Sequence, residues 1–188
     1  MKTAAIILAA GASSRLGEPK QRIKLNGETL VQRAVRIATE ASCEPVVVVL
    51  GANAELVRED TDGTSAVIVE NPDWAQGIAS SIRAGVRAAI DSHCDGVLLI
   101  ACDQPAASAA HLRELMAASS DAVASAYAGR RGIPAYFSAR HFAALLALTG
   151  DTGARDLLRE ATAIPLQGGE LDVDTPQDLQ RAREIFGS

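Results

Sequence analysis

Short runs of aliphatic residues alternate along this chain with longer, alanine-rich amphipathic segments, and this alternation constrains the fold more than any other feature of the sequence. Five of the runs are apolar at consecutive positions, which is typical of strands buried on both faces of a sheet. The predicted strands cover residues 4–8, 46–50, 67–69, 97–100 and 122–126.

The segments between these strands have the residue spacing of amphipathic helices. Ile78 and Ile82, for example, fall on one helical face. The last helix is introduced by Asp174-Thr175-Pro176, in which a cap residue is followed by a proline in the first turn. The predicted helices cover residues 29–40, 54–59, 78–90, 109–117, 139–148, 151–160 and 175–185.

Alternation of strands and helices implies right-handed crossovers and a parallel sheet. We therefore predict an α/β fold class, with a doubly wound, mostly parallel sheet of Rossmann-like type, helices on both faces and a single domain over residues 1–188. In such sheets ligands bind outside the carboxyl ends of the strands. This rule selects the loops 9–24, 71–77 and 102–105, with the polar turn 172–178 as a weaker candidate.

Composition excludes several classes of protein. The chain has 188 residues, of which 48% are hydrophobic and 22% charged, as is ordinary for one folded domain. Its net charge of −5 argues against a nucleic-acid-coating protein. The apolar runs are too short to cross a bilayer, and Met1-Lys2-Thr3 leads into a predicted strand without room for a signal peptide. The three cysteines lack metal-ligand spacing, so we expect reduced thiols and a cytoplasmic location. From the net charge and the short apolar runs we expect neither a nucleic-acid nor a membrane partner.

The loop after the first strand combines small and basic residues. Gly11 and Gly17 let backbone N–H groups approach an anion closely, and Arg15 and Lys20 add a guanidinium fork and an ammonium. Residues 11–24 contain four basic side chains and one acidic side chain, a local charge of +3 that favours a triphosphate ligand. The spacing fits neither a P-loop nor a dinucleotide-binding fingerprint. A flexible glycine-containing loop with solvated charges is the alternative.

Two of the candidate loops, 102–105 and 172–178, contain acidic residues next to a predicted strand or helix. Asp103 comes directly after a buried strand, where a carboxylate can bind Mg²⁺ against substrate phosphates. The alternative is that Asp103 only caps the next turn. Asp172 and Asp174 precede the last helix, and one of them could be a second metal ligand. For Asp174 a role as helix cap is the alternative, and the two roles are compatible.

The loop 71–77 contains Trp74, the only tryptophan, and ends at Gly77 where a helix starts. Its backbone and amide groups could frame a nucleobase. The alternative, which Trp74 on its own favours, is a partly buried packing residue.

Other reactive side chains lack partners in the sequence. We expect Cys102 to be a small buried thiol rather than a nucleophile. The segment 150–155 has two alternative interpretations: Asp151 caps a helix, or Arg155 lies near an anionic acceptor. Surface positions, rather than a role as catalytic base, are expected for the three histidines, His93, His111 and His141.

Taken together, these motifs resemble the signature of nucleotidyltransferases related to the molybdenum-cofactor guanylyl- and cytidylyltransferases. The first motif, Leu8-Ala9-Ala10-Gly11, is shared with many sugar-nucleotide and isoprenoid-precursor nucleotidyltransferases, whereas the full set is more specific. The chain is most similar to the cytidylyltransferase branch, in which Ala-Ala-Gly replaces Ala-Gly-Gly and an Asn-Pro-Xaa-Trp loop meets the base. The other matching segments are 14–17, 19–21, 71–77, 80–81, 102–105, 150–155 and 172–176.

The resemblance implies roles for individual residues. Arg15 and Lys20 would bind the triphosphate and Asp103 would ligate Mg²⁺, so these three are the expected catalytic residues. Asp174 is the expected second metal ligand because of its place beside the carboxyl edge of the sheet. The expected nucleotide-binding residues are Leu8, Ala9, Ala10, Gly11, Arg15, Lys20, Asn53, Asn71, Gly77 and Asp103.

The implied activity is Mg²⁺-dependent transfer of CMP from CTP to the terminal phosphate of the molybdopterin cofactor, with release of pyrophosphate. A molybdoenzyme or its chaperone is a further candidate partner. One segment departs from the family: Ile133, before Pro134, replaces a common histidine in the region of the acceptor pocket. The alternatives are GTP as donor, a sugar-phosphate or alcohol-phosphate acceptor, and a non-catalytic molybdopterin-handling protein.

Overall fold

A computed structural model describes residues 1–187 of the chain. The strands are β1 (Thr3–Ala9), β2 (Lys24–Leu25), β3 (Glu28–Thr29), β4 (Val46–Leu50), β5 (Val67–Glu70), β6 (Gly96–Ala101), β7 (Ala122–Tyr127), β8 (Arg130–Ser138) and β9 (Thr162–Pro165). The α-helices are α1 (Leu30–Glu40), α2 (Ala54–Glu59), α3 (Ile78–Asp91), α4 (Ala109–Ala117), α5 (Phe142–Leu146) and α6 (Pro176–Phe186). Short 3₁₀-helices cover Lys20–Arg22, Trp74–Gln76, Ala139–His141 and Arg155–Leu158.

Seven of these strands form one sheet in the order β5-β4-β1-β6-β8-β7-β9. The pairs β5–β4, β4–β1, β1–β6 and β7–β9 are parallel, whereas β8 runs antiparallel to both β6 and β7. The predicted α/β class with a mostly parallel sheet is therefore confirmed. The hairpin of β2 and β3 forms a separate two-stranded sheet.

Both faces of the large sheet are buried, as the apolar runs predicted. In β1, Ala5 and Ile7 pack into a cluster with residues of α1, α2 and α4. The alternate residues Ala4 and Ile6 pack on the opposite face with residues of α3 and α5. Since successive side chains of a strand point to opposite faces, a central strand with a helical layer on each side must be apolar throughout.

The antiparallel strand β8 contains an irregularity that accommodates a proline. Ala135 pairs with Ala124 but Gly132 pairs with Ser125, so Ile133 and Pro134 are extra residues on β8. A bulge of this kind suits proline, which has no N–H to donate to the ladder. Because β8 is antiparallel to β6, its first residues lie at the edge of the sheet where the parallel strands β1 and β6 end.

A third, smaller apolar cluster joins the segment after the first loop to the last part of the chain. Val173 is fully buried in it, between two aspartates in the sequence. The cluster therefore ties the turn before α6 to the hairpin that follows the first loop. Its buried members are Ile23, Leu25, Leu30, Leu171, Val173 and Ala182.

Two predicted helices are wrong in extent. Of the predicted helix 151–160, only a 3₁₀-helix at Arg155–Leu158 forms. The backbone φ angles of Gly150 and Gly153 are +65° and +56°, which lie outside the right-handed helical region. The predicted helix 139–148 is a 3₁₀-turn followed by the short α5.

The strands β8 and β9 and the hairpin β2–β3 are additional to the sequence prediction. Among residues 1–187, none of the helices combines the length and the apolar composition that crossing a bilayer requires.

Candidate active site

Three charged side chains from distant parts of the sequence meet at the carboxyl edge of the sheet. Lys20 lies in the loop after β1, Asp103 follows β6, and Asp174 precedes α6. The Nζ atom of Lys20 donates hydrogen bonds to Asp103 Oδ2 and, at 2.8 Å, to Asp174 Oδ1. The three residues expected to bind phosphate or metal are thus brought together around one ammonium group.

Burial and charge compete within this cluster. Burial alone would lower the pKa of Lys20, but the carboxylates of Asp103 and Asp174 outweigh it and raise that pKa above its usual value. Burial would raise the pKa of Asp174, yet Lys20 and Arg15 hold it below its usual range. Lys20 and Asp174 are therefore stabilised in their charged forms by their neighbours in the cluster.

Arg15 lies at the outer side of the cluster. Its Nη2 donates to Asp174 Oδ2 at 2.9 Å, while 67% of the side chain is exposed. An exposed ion pair of this kind contributes little to stability. The guanidinium of Arg15 can therefore leave Asp174 for an incoming phosphate at small cost.

The loop after β1 is held in shape by hydrogen bonds within it. The buried amide of Gln21 donates to the carbonyl oxygens of Ala9 at 2.8 Å and Gly11 at 3.0 Å. Ser13 Oγ accepts from the backbone N–H of Lys20 at 2.9 Å. These bonds fix the backbone that carries Lys20.

Gly11, one of the two glycines in this loop, leaves the backbone accessible. Gly11 is exposed, and a Cβ built on it would meet no atom within 4 Å. Ala9 and Ala10, which precede it, are buried, whereas Leu8 lines the cavities described below. The stretch from Leu8 to Gly11 thus runs from the core to an open surface that an anion can approach.

The loop 71–77 is anchored by Asn71, whose side chain is directed into the protein. Its Nδ2 donates to Ser80 Oγ at 2.7 Å and to Ser81 Oγ at 3.0 Å, and its Oδ1 accepts from the backbone N–H of Asp73 at 3.0 Å. With both ends of the amide used in this way, Asn71 positions the loop. Contacts from this loop to a ligand would therefore come from its backbone and from Trp74.

Trp74 is 37% exposed and packs against Gly51 at the end of β4, where a Cβ would lie 2.6 Å from that of Trp74. Gly77 has a φ of +102°, and a Cβ on it would lie 2.6 Å from the carbonyl oxygen of Gly150. Only glycine combines this backbone conformation with so close an approach. Asn53, the remaining predicted nucleotide contact, is exposed in a left-handed conformation at the start of α2.

Two cavities adjoin at Asp103, one member of the Lys20–Asp103–Asp174 cluster. A cavity of about 400 Å³ is lined by Gly11, Lys20 and Trp74, which are residues predicted to surround the nucleotide. A second cavity of about 290 Å³ extends from Asp103 to Tyr127 and Ile133, the region predicted for the acceptor. The residues lining both cavities are Leu8, Ile78, Ala101, Asp103 and Asp151.

Asp172 lines the second cavity next to Asp103. Burial and the negative charges of Asp103 and Asp174 raise the pKa of Asp172 to about 6. The neighbouring Gln104 is buried, and its Nε2 donates to Tyr127 Oη at 3.2 Å. Within the described residues, Gln104 Oε1 is buried without a hydrogen-bond partner.

Arg130 and Arg131 also line the second cavity, and we did not single them out from the sequence. The adjacent basic pair in Gly129-Arg130-Arg131-Gly132 was the available signal. It was missed because β8, which carries the pair at its start, was not predicted.

The histidines are placed partly as expected. His93 is exposed, but His111 is buried, and this surface prediction is wrong. Ser125 Oγ donates its only proton to the carbonyl of Pro134 at 2.6 Å, so His111 Nε2 is the donor in its 2.7 Å bond to Ser125. Burial lowers the pKa of His111 and favours the neutral ring. Cys102 is buried as predicted, and burial raises the pKa of its thiol to about 12.

The site provides a partial set of ligands for a metal. Among the described residues, no group of three or more His, Cys, Asp or Glu side chains is arranged to hold a metal ion. Mg²⁺, however, is commonly bound by one or two carboxylates together with substrate phosphates. Asp103 and Asp174 share one cation, the ammonium of Lys20, which shows that both carboxylates can face the same positive charge. The donor set therefore fits a hard cation that the substrate helps to bind.

Comparison with known proteins places this geometry in a family context. Residues 5–165 match the family described as "MobA-like NTP transferase domain". The match includes Lys20 and Asp103 but ends before Asp174.

Relatives with different names are similar over nearly the whole chain. Nicotine blue oxidoreductase of Paenarthrobacter nicotinovorans is 36% identical over an alignment that covers 96% of this chain and 93% of the relative. Purine catabolism protein PucB of Bacillus subtilis is 30% identical, with 96% of each chain covered. The molybdenum cofactor cytidylyltransferase of Escherichia coli is 28% identical, over 96% of this chain and 95% of the relative.

Solved structures share the same architecture. Rv0371c from Mycobacterium tuberculosis superposes with a TM-score of 0.84 at 30% identity and covers 98% of this chain and 99% of its own. A structure of Rv0371c in complex with manganese superposes with a TM-score of 0.75 at 27% identity, covering 98% and 99% of the two chains.

Proposed function

Because the chain belongs to the MobA-like NTP transferase family and is a nucleotidyltransferase, we propose that it transfers CMP from CTP to the terminal phosphate of the molybdopterin cofactor and releases pyrophosphate. The observation that carries this proposal is the ion-pair cluster of Lys20 with Asp103 and Asp174, of which Asp103 lines two adjoining cavities. One cavity would bind the nucleotide and the other the acceptor.

In the proposed reaction, an oxygen of the acceptor phosphate attacks the α-phosphorus of CTP. The new P–O bond forms as the bond to the β-phosphate oxygen breaks, and pyrophosphate carries away the electron pair. This displacement needs no covalent enzyme intermediate, so catalysis rests on positioning and on neutralisation of charge. The buried Cys102 thiol and the neutral His111 take no part in it.

Lys20 and Arg15 would supply positive charge to the triphosphate. In the absence of nucleotide both are paired with carboxylates, Lys20 with Asp103 and Asp174, and Arg15 with Asp174. Phosphate oxygens would replace these partners, and the ammonium of Lys20 would then stabilise the charge that develops on the leaving pyrophosphate. The backbone of the stretch from Leu8 to Gly11 would bind along the nucleotide.

Asp103 and Asp174 would bind a divalent cation, proposed here to be Mg²⁺, which when present neutralises charge on the phosphate oxygens. The pair of carboxylates supports a metal at this place. The structural relative Rv0371c forms a complex with manganese, which supports use of a divalent cation. When the substrate arrives, the side chain of Lys20 would leave the carboxylates and turn toward the phosphates.

The choice of donor and acceptor rests on similarity. The Asn71 to Gly77 loop and the Ala-Ala-Gly motif resemble the cytidylyltransferase branch, and the similarity to the enzyme of Escherichia coli extends over 96% of this chain. The apolar Ile133 lines the cavity proposed for the acceptor, where the family commonly has a histidine. Acceptor specificity is therefore where this chain would differ most from that branch.

Pyrophosphate release, measured with Mg²⁺ and each of CTP, GTP, ATP and UTP, tests the proposal. Each nucleotide is assayed with and without molybdenum-loaded molybdopterin. Release that requires both CTP and the cofactor is the expected result. Release with GTP, or only with a phosphorylated sugar or alcohol, would overturn the stated donor or acceptor. Nucleotide binding without release from any combination would support a molybdopterin-handling protein instead.

A further inference from the structure

Four arginines cluster beyond the site described so far. Arg130, Arg131 and Arg155 line both the 290 Å³ acceptor cavity and an adjoining cavity of about 450 Å³, to which Arg159 is added. The arginines thus lie at the end of the acceptor cavity away from Lys20 and line its continuation. This concentration of positive charge stands in a chain whose net charge is −5.

Two guanidinium groups of this cluster, those of Arg130 and Arg131, are held by contacts other than ion pairs. Arg130 lies over the ring of Tyr127, with its Cζ 5.2 Å from the ring centroid. The Nε of Arg131 donates to the carbonyl of Ala161 at 3.0 Å. Both contacts fix the side chain while leaving outer N–H groups free of carboxylate partners.

The other two arginines differ in their pairing. Arg159 forms an exposed ion pair of 2.8 Å with Asp156. Within residues 1–187, the side chain of Arg155 has neither a hydrogen-bond nor an ion-pair partner. At least three guanidinium groups therefore present unused donors to the two cavities.

We infer that this arginine cluster binds a second oxoanion group of the acceptor, distinct from the phosphate that attacks the nucleotide. The inference rests on the proposed function, since it takes the cavity between Asp103 and the arginines as the acceptor site. Planar guanidinium groups recognise phosphate and carboxylate oxygens in a bidentate manner. The wall between the two ends is mixed, with apolar residues such as Leu8, Ile78 and Ile133 beside polar ones such as Gln104 and Asp172. An acceptor that spans this cavity would carry the attacking phosphate at the Asp103 end and a second oxoanion group at the arginine end.

Calorimetric titration with inorganic phosphate tests the second anion subsite directly. The titration uses protein with Arg15→Gln and Lys20→Gln, in which both cations proposed to bind the triphosphate are removed, and requires no turnover. Replacing Arg130 and Arg155 together by glutamine is expected to raise the Kd for phosphate about tenfold or more, the equivalent of one lost charge-assisted contact. Arg87→Gln is the matched control, because Arg87 is exposed on α3 and lines neither cavity. The Kd for phosphate of the Arg87→Gln control is expected to stay within about twofold of the value without this substitution.

A parallel titration with acetate distinguishes the two sources of the oxoanion. Arginine-dependent binding of acetate as well as phosphate would point to a carboxylate, and arginine-dependent binding of phosphate alone to a second phosphate. Equal affinities of the double variant and the control, or no phosphate binding at all, would overturn the inference.

Steady-state kinetics of pyrophosphate release test this inference separately from the proposed function. In an otherwise unaltered protein, the Arg130→Gln and Arg155→Gln pair is expected to raise the KM for the acceptor about tenfold and to leave the KM for CTP unchanged. Pyrophosphate release with an unchanged acceptor KM would contradict the subsite alone. Absence of release from the wild-type protein would contradict the proposed function, while the phosphate titration would still report on the arginines.

Discussion

Lys20 and Asp174 are separated by 154 residues in the sequence, yet the Nζ atom of one lies 2.8 Å from Oδ1 of the other. The same ammonium binds Asp103, and Arg15 binds the second oxygen of Asp174. Two cations and two carboxylates thus balance without a ligand. In the proposed function, an incoming triphosphate would break this internal neutralisation, and exchange of ion-pair partners would be the first event at the site.

Replacement of Lys20 by alanine is expected to lower turnover by ~10²–10³-fold, because the protein loses a preorganised positive charge that stabilises the negative charge developing on the leaving pyrophosphate. Initial rates of pyrophosphate release measure the effect. Lys24→Ala is the matched control, since Lys24 is exposed in the hairpin strand β2. A Lys20→Ala enzyme with nearly wild-type activity would remove Lys20 from the mechanism.

Asp103→Asn is expected to abolish activity with little change in the free energy of unfolding. The carboxylate binds Lys20, whereas the link to the turn before α6 is made by the carbonyl oxygen of Asp103, which accepts from Val173 N–H at 2.9 Å. An asparagine keeps that backbone bond and loses only the charge. Denaturant unfolding is compared with the pyrophosphate assay. If the variant unfolds instead, Asp103 has a structural role in the turn.

Gly77→Ala is expected to destabilise the protein by about 1–3 kcal/mol, because a side chain is strained at a φ of +102° and its Cβ would collide with the Gly150 carbonyl. Thermal unfolding measures the loss. Gly63→Ala is the control, since Gly63 has a φ of +77° but open space around it, and isolates strain from collision. Equal losses in the two variants would show that the contact with Gly150 has no energetic weight.

Stability is expected to fall on acidification partly because of His111. Burial lowers its pKa in the folded protein, so below the unfolded-state value of about 6.5 the unfolded chain binds the proton more readily. The stabilisation is complete above that pH and decreases as the pH falls, with a slope of at most about 1.4 kcal/mol per pH unit.

Denaturant unfolding at several pH values between 7 and 5, in wild type and His111→Gln, measures this effect. Glutamine can still donate to Ser125 but does not titrate, so the variant should show a shallower dependence. His93→Gln, at an exposed position, serves as the control and should follow wild type. Parallel curves for His111→Gln and wild type would exclude the histidine as the cause.

The central strands could be predicted because their residues fulfil a local condition. Val46 to Leu50 and Val97 to Ile100 are apolar at every position, as burial on both faces requires, and they form β4 and β6 with ends that agree within one residue. The strand β8 could not be predicted from the sequence, because Arg130, Arg131 and Pro134 are unusual in a strand. It forms because β6 and β7 provide hydrogen-bonding partners on both sides and a bulge accommodates the proline.

The site was predictable as separate parts. The rule that ligands bind at the carboxyl ends of parallel strands placed Lys20, Asp103 and Asp174 at one edge of the sheet. Their direct contact depends on packing between distant segments, notably the burial of Val173 against the residues after the first loop. The role of Asn71 was likewise beyond local sequence, because its partners Ser80 and Ser81 lie on a helix whose position is set by the sheet.

The helix α6, with its capping box between Thr175 and Asp178, begins two residues after Asp174. During synthesis the whole seven-stranded sheet, which ends at β9, leaves the ribosome before this aspartate does. A nascent chain can therefore already have its core while Lys20 lacks one of its two carboxylate partners. The order of synthesis thus allows the sheet to form before the turn that carries Asp174 completes the ion-pair cluster around Lys20.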